Sequence, residues 1–282
     1  MMELDYIKEI AYLGPEASFS EIAKDLFCEK YEINPYPRAL KTIRQVVEYV
    51  TENPDTLGVL PVENSIEGTV RESLDTLMTC ENPNIKILSE IIMPIRHCLL
   101  SRTTEFYSIT GVISHPQALA QCQNFIHTEL PRNLNIIEST STAEAARSLA
   151  NYNLTYSAIG SAKTAEVYNL NILKENINDD KSNQTRFLLI GDYETEKTGR
   201  DKTSIAFSTD NKPGALLDVL NIFYKNHINL TYISSRPSKQ KFGEYIFVVN
   251  FDGHIQTKKI LDTLSEVKEK TTYMKFFGSY EK

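Results

Sequence analysis

ITGVISHPQALAQCQNFIH, residues 109–127, holds the change of period that decides the fold. An apolar run centred on Val112 and Ile113 ends at a serine and a histidine, and Pro116, a residue suited to the first position of a helix, follows. Beyond it Leu119, Cys122 and Ile126 recur at helical spacing. One short stretch thus reads as a strand passing through a turn into a helix, with Cys122 a small core residue of that helix and not a nucleophile. The pattern repeats on both sides: EIAYLG before FSEIAKDLFCEKY, TLGVLP before GTVRESLDTLM, LNIIES before TAEAARSLANY, and SAIGS before AKTAEVYNL. Strands alternating with helices predict an α/β fold with mainly parallel sheets.

IKILSEIIMPIRHCLLS, residues 85–101, breaks the alternation, being rich in isoleucine, without a helix-start signal and with Pro94 inside it. It reads as two extended segments crossing between lobes, which makes residues 1–192 a bilobed unit with its second lobe at roughly 92–180. Residues 193–202 are charged and turn-rich, lack a periodic apolar face, and form a linker. From 203 to 282 the order is strand, helix, strand, strand, helix, strand; Leu216, Leu220 and Phe223 mark the first helix, and Tyr245, Phe247, Val249 and Phe251 alternate along the third strand. That is the order of a split βαβ, ferredoxin-like α+β sandwich.

Of the 282 residues, 41% are hydrophobic and 24% charged, the composition of a globular protein with a sizeable core. No apolar run is as long as a membrane span, and acids stand where a signal peptide needs a basic region, so the expected location is the cytoplasm. A net charge of -7 without any Lys/Arg block argues against nucleic acid. An anionic ligand must then find positive potential locally. Cys28, Cys80, Cys98 and Cys122 are scattered without a C-x-x-C pair, which fits reduced thiols better than disulfides or a zinc site.

Several strand-to-helix turns supply such potential. Ser18 or Ser20 can cap one helix, Ser114 or His115 precedes Pro116, and Ser141 or Thr142 is followed by Glu144. Capping accounts for any single turn; their clustering at the carboxyl ends of strands points to a ligand site, because free N–H groups and the helix dipole favour anions there. Two further stretches are dense in polar groups at strand mouths. VLPVENSIEGTV, residues 59–70, places Glu63, Asn64 and Ser65 after a buried strand, and NQTRF, residues 183–187, sets a hydroxyl beside a guanidinium. A lone His115 reads as a cap or packing residue.

Taken in order, AYLGPEASFSE, LPVENSIEGTV, ISHPQALAQC and NQTRFLLIG, followed by the βαββαβ unit, closely resemble prephenate dehydratase over nearly the whole chain. The last unit is similar to an ACT domain, with PGALLDVL and SSRP in the places of its two motifs. The resemblance implies a type II periplasmic-binding-protein-like bilobed catalytic domain, no metal or organic cofactor, and decarboxylative dehydration of prephenate to phenylpyruvate on the way to phenylalanine. It implies catalytic roles for Thr185, Glu63, Asn64 and Ser65, and substrate binding by Arg186, Phe187, Ser18, Ser114, His115, Gln117 and Thr142. Arg186 is expected to clamp a carboxylate through both guanidinium nitrogens. Phenylalanine is expected between ACT domains at Asn211, Gly214, Ala215, Leu216 and Leu217, with Ser235 and Arg236 opposite, as a feedback effector of a homodimer or homotetramer.

Three positions depart from the family pattern: Ala17 stands for a glycine, Ser18 for a threonine and Ser234 for a glutamate. Ala17 is costly only where that position needs positive φ; Ser234 bears on phenylalanine regulation alone. No helical segment precedes the first strand, so a dehydratase without a fused chorismate mutase is expected. Rival readings are arogenate dehydratase, with the same chemistry, and a non-catalytic amino-acid sensor, which would have no need of Thr185.

Overall fold

A computed structural model of the chain describes residue 4 and residues 6–238 and 244–282. The first lobe runs β1 (Glu9–Leu13), α1 (Phe19–Tyr31), β2 (Tyr36–Leu40), α2 (Ile43–Glu52), β3 (Thr56–Asn64), β4 (Gly68–Thr69), α3 (Arg71–Thr79) and β5 (Ile85–Pro94). The second runs β6 (Cys98–Ser101), β7 (Gly111–Ser114), α4 (Pro116–Ala120), α5 (Gln123–Glu129), β8 (Asn135–Glu138), α6 (Thr142–Ser148), β9 (Tyr156–Gly160), α7 (Ala162–Val167) and β10 (Asn171–Lys174). β11 (Gln184–Asp192) returns to the first lobe, and β12 (Asp201–Ser208), α8 (Ala215–Lys225), β13 (Leu230–Pro237), β14 (Tyr245–Asp252), α9 (Lys258–Glu269) and β15 (Tyr273–Glu281) complete the chain. Among the described residues no helix is long and apolar enough to cross a membrane.

The bilobed α/β unit and the βαββαβ unit are both present. The first-lobe sheet has the order β2-β1-β3-β11-β5, the second β10-β6-β9-β7-β8, the third β13-β14-β12-β15. The first two are mixed, not mainly parallel. A chain that leaves the first lobe along β5 and returns along its neighbour β11 lays the two side by side in opposite directions, and β11 is antiparallel to β3 as well. The continuous helix expected over 116–127 is broken at Gln121 and Cys122 into α4 and α5; Cys122 is still fully buried beside Ile126. β2 and β10 were not anticipated, since their exposed residues and Pro37 hide the alternation. β12 begins inside the stretch read as linker.

Alternation along β11 divides the first-lobe sheet into two faces. Phe187 and Leu189 pack with Tyr12, Phe27 and Val59 under α1. Leu188 and Ile190 pack on the other side with Val46 and Val50 of α2, and also with Ala206, Val248, Phe277 and Tyr280 of the third sheet. That third sheet buries both faces: Ile205, Phe207, Val249 and Phe251 lie under α8 and α9, while its other face lies on the first lobe. β14 is therefore buried on both sides rather than half-exposed. Gly278 lets the backbones meet, since a Cβ there would stand 2.4 Å from the Ile87 carbonyl oxygen.

Candidate active site

A cavity of about 820 Å³ lies between the two lobes. The starts of α1, α4 and α6 converge on it, each with its cap in place. Ser18 Oγ accepts from Glu21 N at 3.3 Å, His115 Nδ1 from Gln117 N at 3.2 Å, and Ser141 Oγ from Glu144 N at 3.0 Å. Ala17, at the α1 turn, has φ of 63°, a conformation where a glycine would be at ease. Its methyl group there costs roughly 1 kcal/mol. Its carbonyl accepts from Thr164 Oγ1 of the second lobe at 3.0 Å, a direct tie across the cleft.

The mouths of β3 and β11 form the cavity floor, and a bulge sets which side chains face it. Arg186 pairs with Glu63 and Phe187 with Pro61, so Val62 is an extra residue on β3. The bulge reverses the alternation of β3 but not that of β11: Asn64 and Thr185, paired in register, line the cavity, while Glu63 and Arg186 point to the opposite face. Asn64 is fixed by its oxygen, which accepts from both Ile66 N and Glu67 N at 3.0 Å. Its Nδ2 must then donate, and it does so to Thr185 Oγ1 and to Asn183 Oδ1, each at 2.8 Å. Thr185 accepts that bond, which leaves its own proton available to the cavity. Asn183 Nδ2 donates onward to Gln121 Oε1 at 3.0 Å, which also lies 3.2 Å from His97 Nε2. An acceptor at that point places the His97 proton on Nε2. Burial pushes the His97 imidazole down to about 4, with the Gln121 hydrogen bond opposing, so this cavity-lining ring is neutral at pH 7.

Of the residues singled out from sequence, Ser18, Asn64, His115, Gln117, Thr142, Thr185 and Phe187 line the cavity. Four do not. Glu63 is carried to the far face by the bulge on β3, Arg186 lies there with Leu188 and Ile190 by the alternation of β11, and the two pair with each other at 3.1 Å. Ser65 Oγ accepts from Gln184 N at 3.0 Å, tying the end of β3 to the start of β11. Ser114 is fully buried and donates to Ile159 O at 2.8 Å, which ties β7 to β9 and leaves the capping to His115. Sequence reasoning missed His97, Gln121 and Lys41, all at the cavity. His97 hid in the short irregular segment between β5 and β6 and Gln121 at an unforeseen helix break; only the PIRHCLL histidine, set between apolar strands, gave a signal. Cys122 is no nucleophile: burial pushes its thiol up to about 12.

In the last unit Gly214 caps α8 with φ of 85°, and Leu217 and Asn211 are exposed beside it. Ser235 shares the helix-bearing face of β13, since it pairs with Phe247. Arg236, expected beside it, lies on the opposite face with Tyr232 and Ser234, because neighbours on a strand point opposite ways.

Fold and cavity together define a two-lobed α/β enzyme with a small regulatory-type α+β unit packed on its back. The prephenate dehydratase family model matches residues 10–195 and the ACT domain model residues 203–269. The chain belongs to the prephenate dehydratase family, and is a lyase. It is 42% identical over 275 residues to a bifunctional chorismate mutase/prephenate dehydratase of Aquifex aeolicus (strain VF5), covering 97% of this chain and 74% of that one. It is 39% identical to the prephenate dehydratase of Methanocaldococcus jannaschii, covering 97% and 98%. The crystal structure of a prephenate dehydratase from Arthrobacter aurescens in complex with L-Phe superposes with a TM-score of 0.87 at 30% identity, covering 97% of this chain and 90% of that one.

Proposed function

We propose that the cavity binds prephenate and converts it to phenylpyruvate, carbon dioxide and water, in the cytoplasm, as a step of phenylalanine biosynthesis. Two carboxylates of the substrate fit the α1 and α6 starts and Lys41, each helix start contributing roughly 0.3–1 kcal/mol to holding an anion. The ring hydroxyl goes to Thr185. Loss of carbon dioxide delivers the electron pair that makes the ring aromatic and expels hydroxide, which needs one proton to leave as water. Threonine is too weak an acid to ionise freely; it donates a strong hydrogen bond, with the proton passed through it. The observation that carries this reading is the Asn64–Thr185 bond, whose direction frees the threonine proton. Glu63 and Arg186 act from behind and do not touch substrate.

Phenylalanine binds the ACT unit at the α8 start and the helix-bearing face of β13, and a second copy completes that site. Exposed Leu217 and Ile233 and an edge strand support such a dimer or pair of dimers. Incubating the purified protein with prephenate and with arogenate, with and without phenylalanine, tests the reading. Phenylpyruvate from prephenate is expected; phenylalanine formed from arogenate alone would assign the other substrate, and no product from either would leave a sensor.

A further inference from the structure

The face of the β3–β11 rung turned away from the cavity is built as fully as the cavity face. Arg186 Nη2 lies 3.1 Å from Glu63 and Nη1 3.4 Å from Glu90 of β5. Lys202 of β12 pairs with the other oxygen of Glu90. Asn250 of β14, its amide oriented to satisfy both ends, accepts from Arg186 Nη1 at 3.0 Å and donates to Ser204 Oγ at 2.8 Å. The guanidinium stands 5.3 Å from the Tyr232 ring of β13, and the Tyr232 hydroxyl is 3.1 Å from Thr69 Oγ1. Two cations face two carboxylates, and Arg186, Lys202 and Glu90 expose only 12%, 13% and 6% of their side chains. Three strands of the ACT sheet thus supply partners to a rung whose other side carries Asn64 and Thr185.

We propose that Arg186 is a positioning residue through which the ACT sheet sets the placement of Thr185 and Asn64. Asn250, Tyr232 and Lys202 hold the Arg186–Glu63 pair and its Glu90 partner. Arg186 and Glu63 are each bonded in sequence to a cavity residue and pair in register across the same two strands. A shift of the ACT sheet against the first lobe moves that rung as a unit, and misplacing a reacting group by 1 Å lowers turnover by up to about 100-fold. Lysine cannot replace the guanidinium, which reaches Glu63 through Nη2 and both Glu90 and the Asn250 amide through Nη1. The same contact is the route by which phenylalanine bound to the ACT sheet reaches turnover. The inference takes from the reading above the role of Thr185 and the binding of phenylalanine to the ACT unit.

The test is steady-state kinetics on the full chain for Arg186→Lys, Asn250→Ala, Tyr232→Phe and the Arg186→Lys/Asn250→Ala double variant, with phenylalanine binding followed by calorimetry. Arg186→Lys and Asn250→Ala are expected to lower kcat about tenfold with KM within twofold, and the double variant to match the worse single one, as for residues acting through one contact. Asn250→Ala is expected to bind phenylalanine while kcat no longer responds to it. Turnover within twofold of wild type in both single variants, losses confined to KM, or additive losses overturn the proposal; a wild-type kcat indifferent to bound phenylalanine overturns the regulatory route. Should Arg186→Lys not fold, Asn250→Ala and Tyr232→Phe, which keeps the ring and drops the Thr69 bond, carry the same comparison. Thr185→Val in parallel separates the two readings. If it turns over normally the role of Thr185 fails; if it is inactive while the ACT variants behave as wild type, only the coupling fails.

Discussion

Replacing Gly278 with alanine tests how tightly the ACT sheet is seated on the catalytic unit. Gly278 has φ of 146°, and its added Cβ would stand 2.4 Å from Ile87 O and 3.0 Å from Ile87 N. Both neighbours are backbone of β5, pinned between β11 and the third sheet, so no side chain can swing away. The disfavoured φ costs about 1–3 kcal/mol and overpacking about 1–3 kcal/mol more, a sum near 4 kcal/mol. At 2–4 °C per kcal/mol for a chain of this size, Tm is expected to fall by roughly 8–16 °C. If the ACT sheet instead lifts away, one unfolding transition becomes two. Gly199→Ala is the control: its φ is 92° but nothing lies within 4 Å of the new Cβ, so only the backbone cost of about 1–3 kcal/mol remains. Differential scanning calorimetry of both variants decides it. A Gly278→Ala protein melting in one transition within about 2 °C of wild type would falsify the close seating of the two sheets.

Three other outcomes follow from the geometry. Thr185→Val keeps the side-chain shape but removes the hydroxyl, and kcat is expected to fall about 100- to 1,000-fold with an unchanged melting curve; Thr185→Ser is expected to retain much of the rate. His97 is held well below its ordinary 6.5, at about 4, so above pH 6.5 the imidazole is neutral in both states and the full stability is present. As pH falls from 6.5 towards 4 the unfolded chain takes up a proton that the folded one refuses, and stability drops by about 3 kcal/mol. Denaturant titrations of wild type and His97→Gln across that window are expected to show the extra acid slope only in wild type, and parallel slopes contradict it. Iodoacetamide at pH 8 is expected to leave Cys122 unmodified in the folded protein and to label it after denaturation, as read by peptide mass mapping.

Much of the architecture was legible because its determinants are local. The switch from strand to helix at Pro116, the caps at Ser18 and Ser141, and the apolar stripes of α8 are each written within a few neighbouring residues. The crossing segments before β6 could be recognised from the absence of any helix signal. Asn64 and Thr185 stood out as polar groups at strand mouths, and the cavity joins them across 121 positions of sequence. Their neighbours Glu63 and Arg186 stood out equally, and for the same reason.

Alternation along β11 separated Thr185 from Arg186, and on β3 it was the extra residue at Val62 that gave the cavity Asn64 and the far face Glu63. A bulge is defined by the pairing of two strands, here far apart in sequence, and shifting the alternation by one residue exchanges every side chain beyond it between faces. The docking of the ACT sheet was equally beyond reach, since β14 reads as half-exposed until another sheet covers its outer face. Sequence alone determined the elements, their order and the chemical groups available, because these depend on short-range sterics and periodicity. Tertiary structure decided which groups meet: it sent Thr185 and Asn64 to the cavity, and it turned Arg186, the residue that first looked like a carboxylate clamp, towards the ACT sheet.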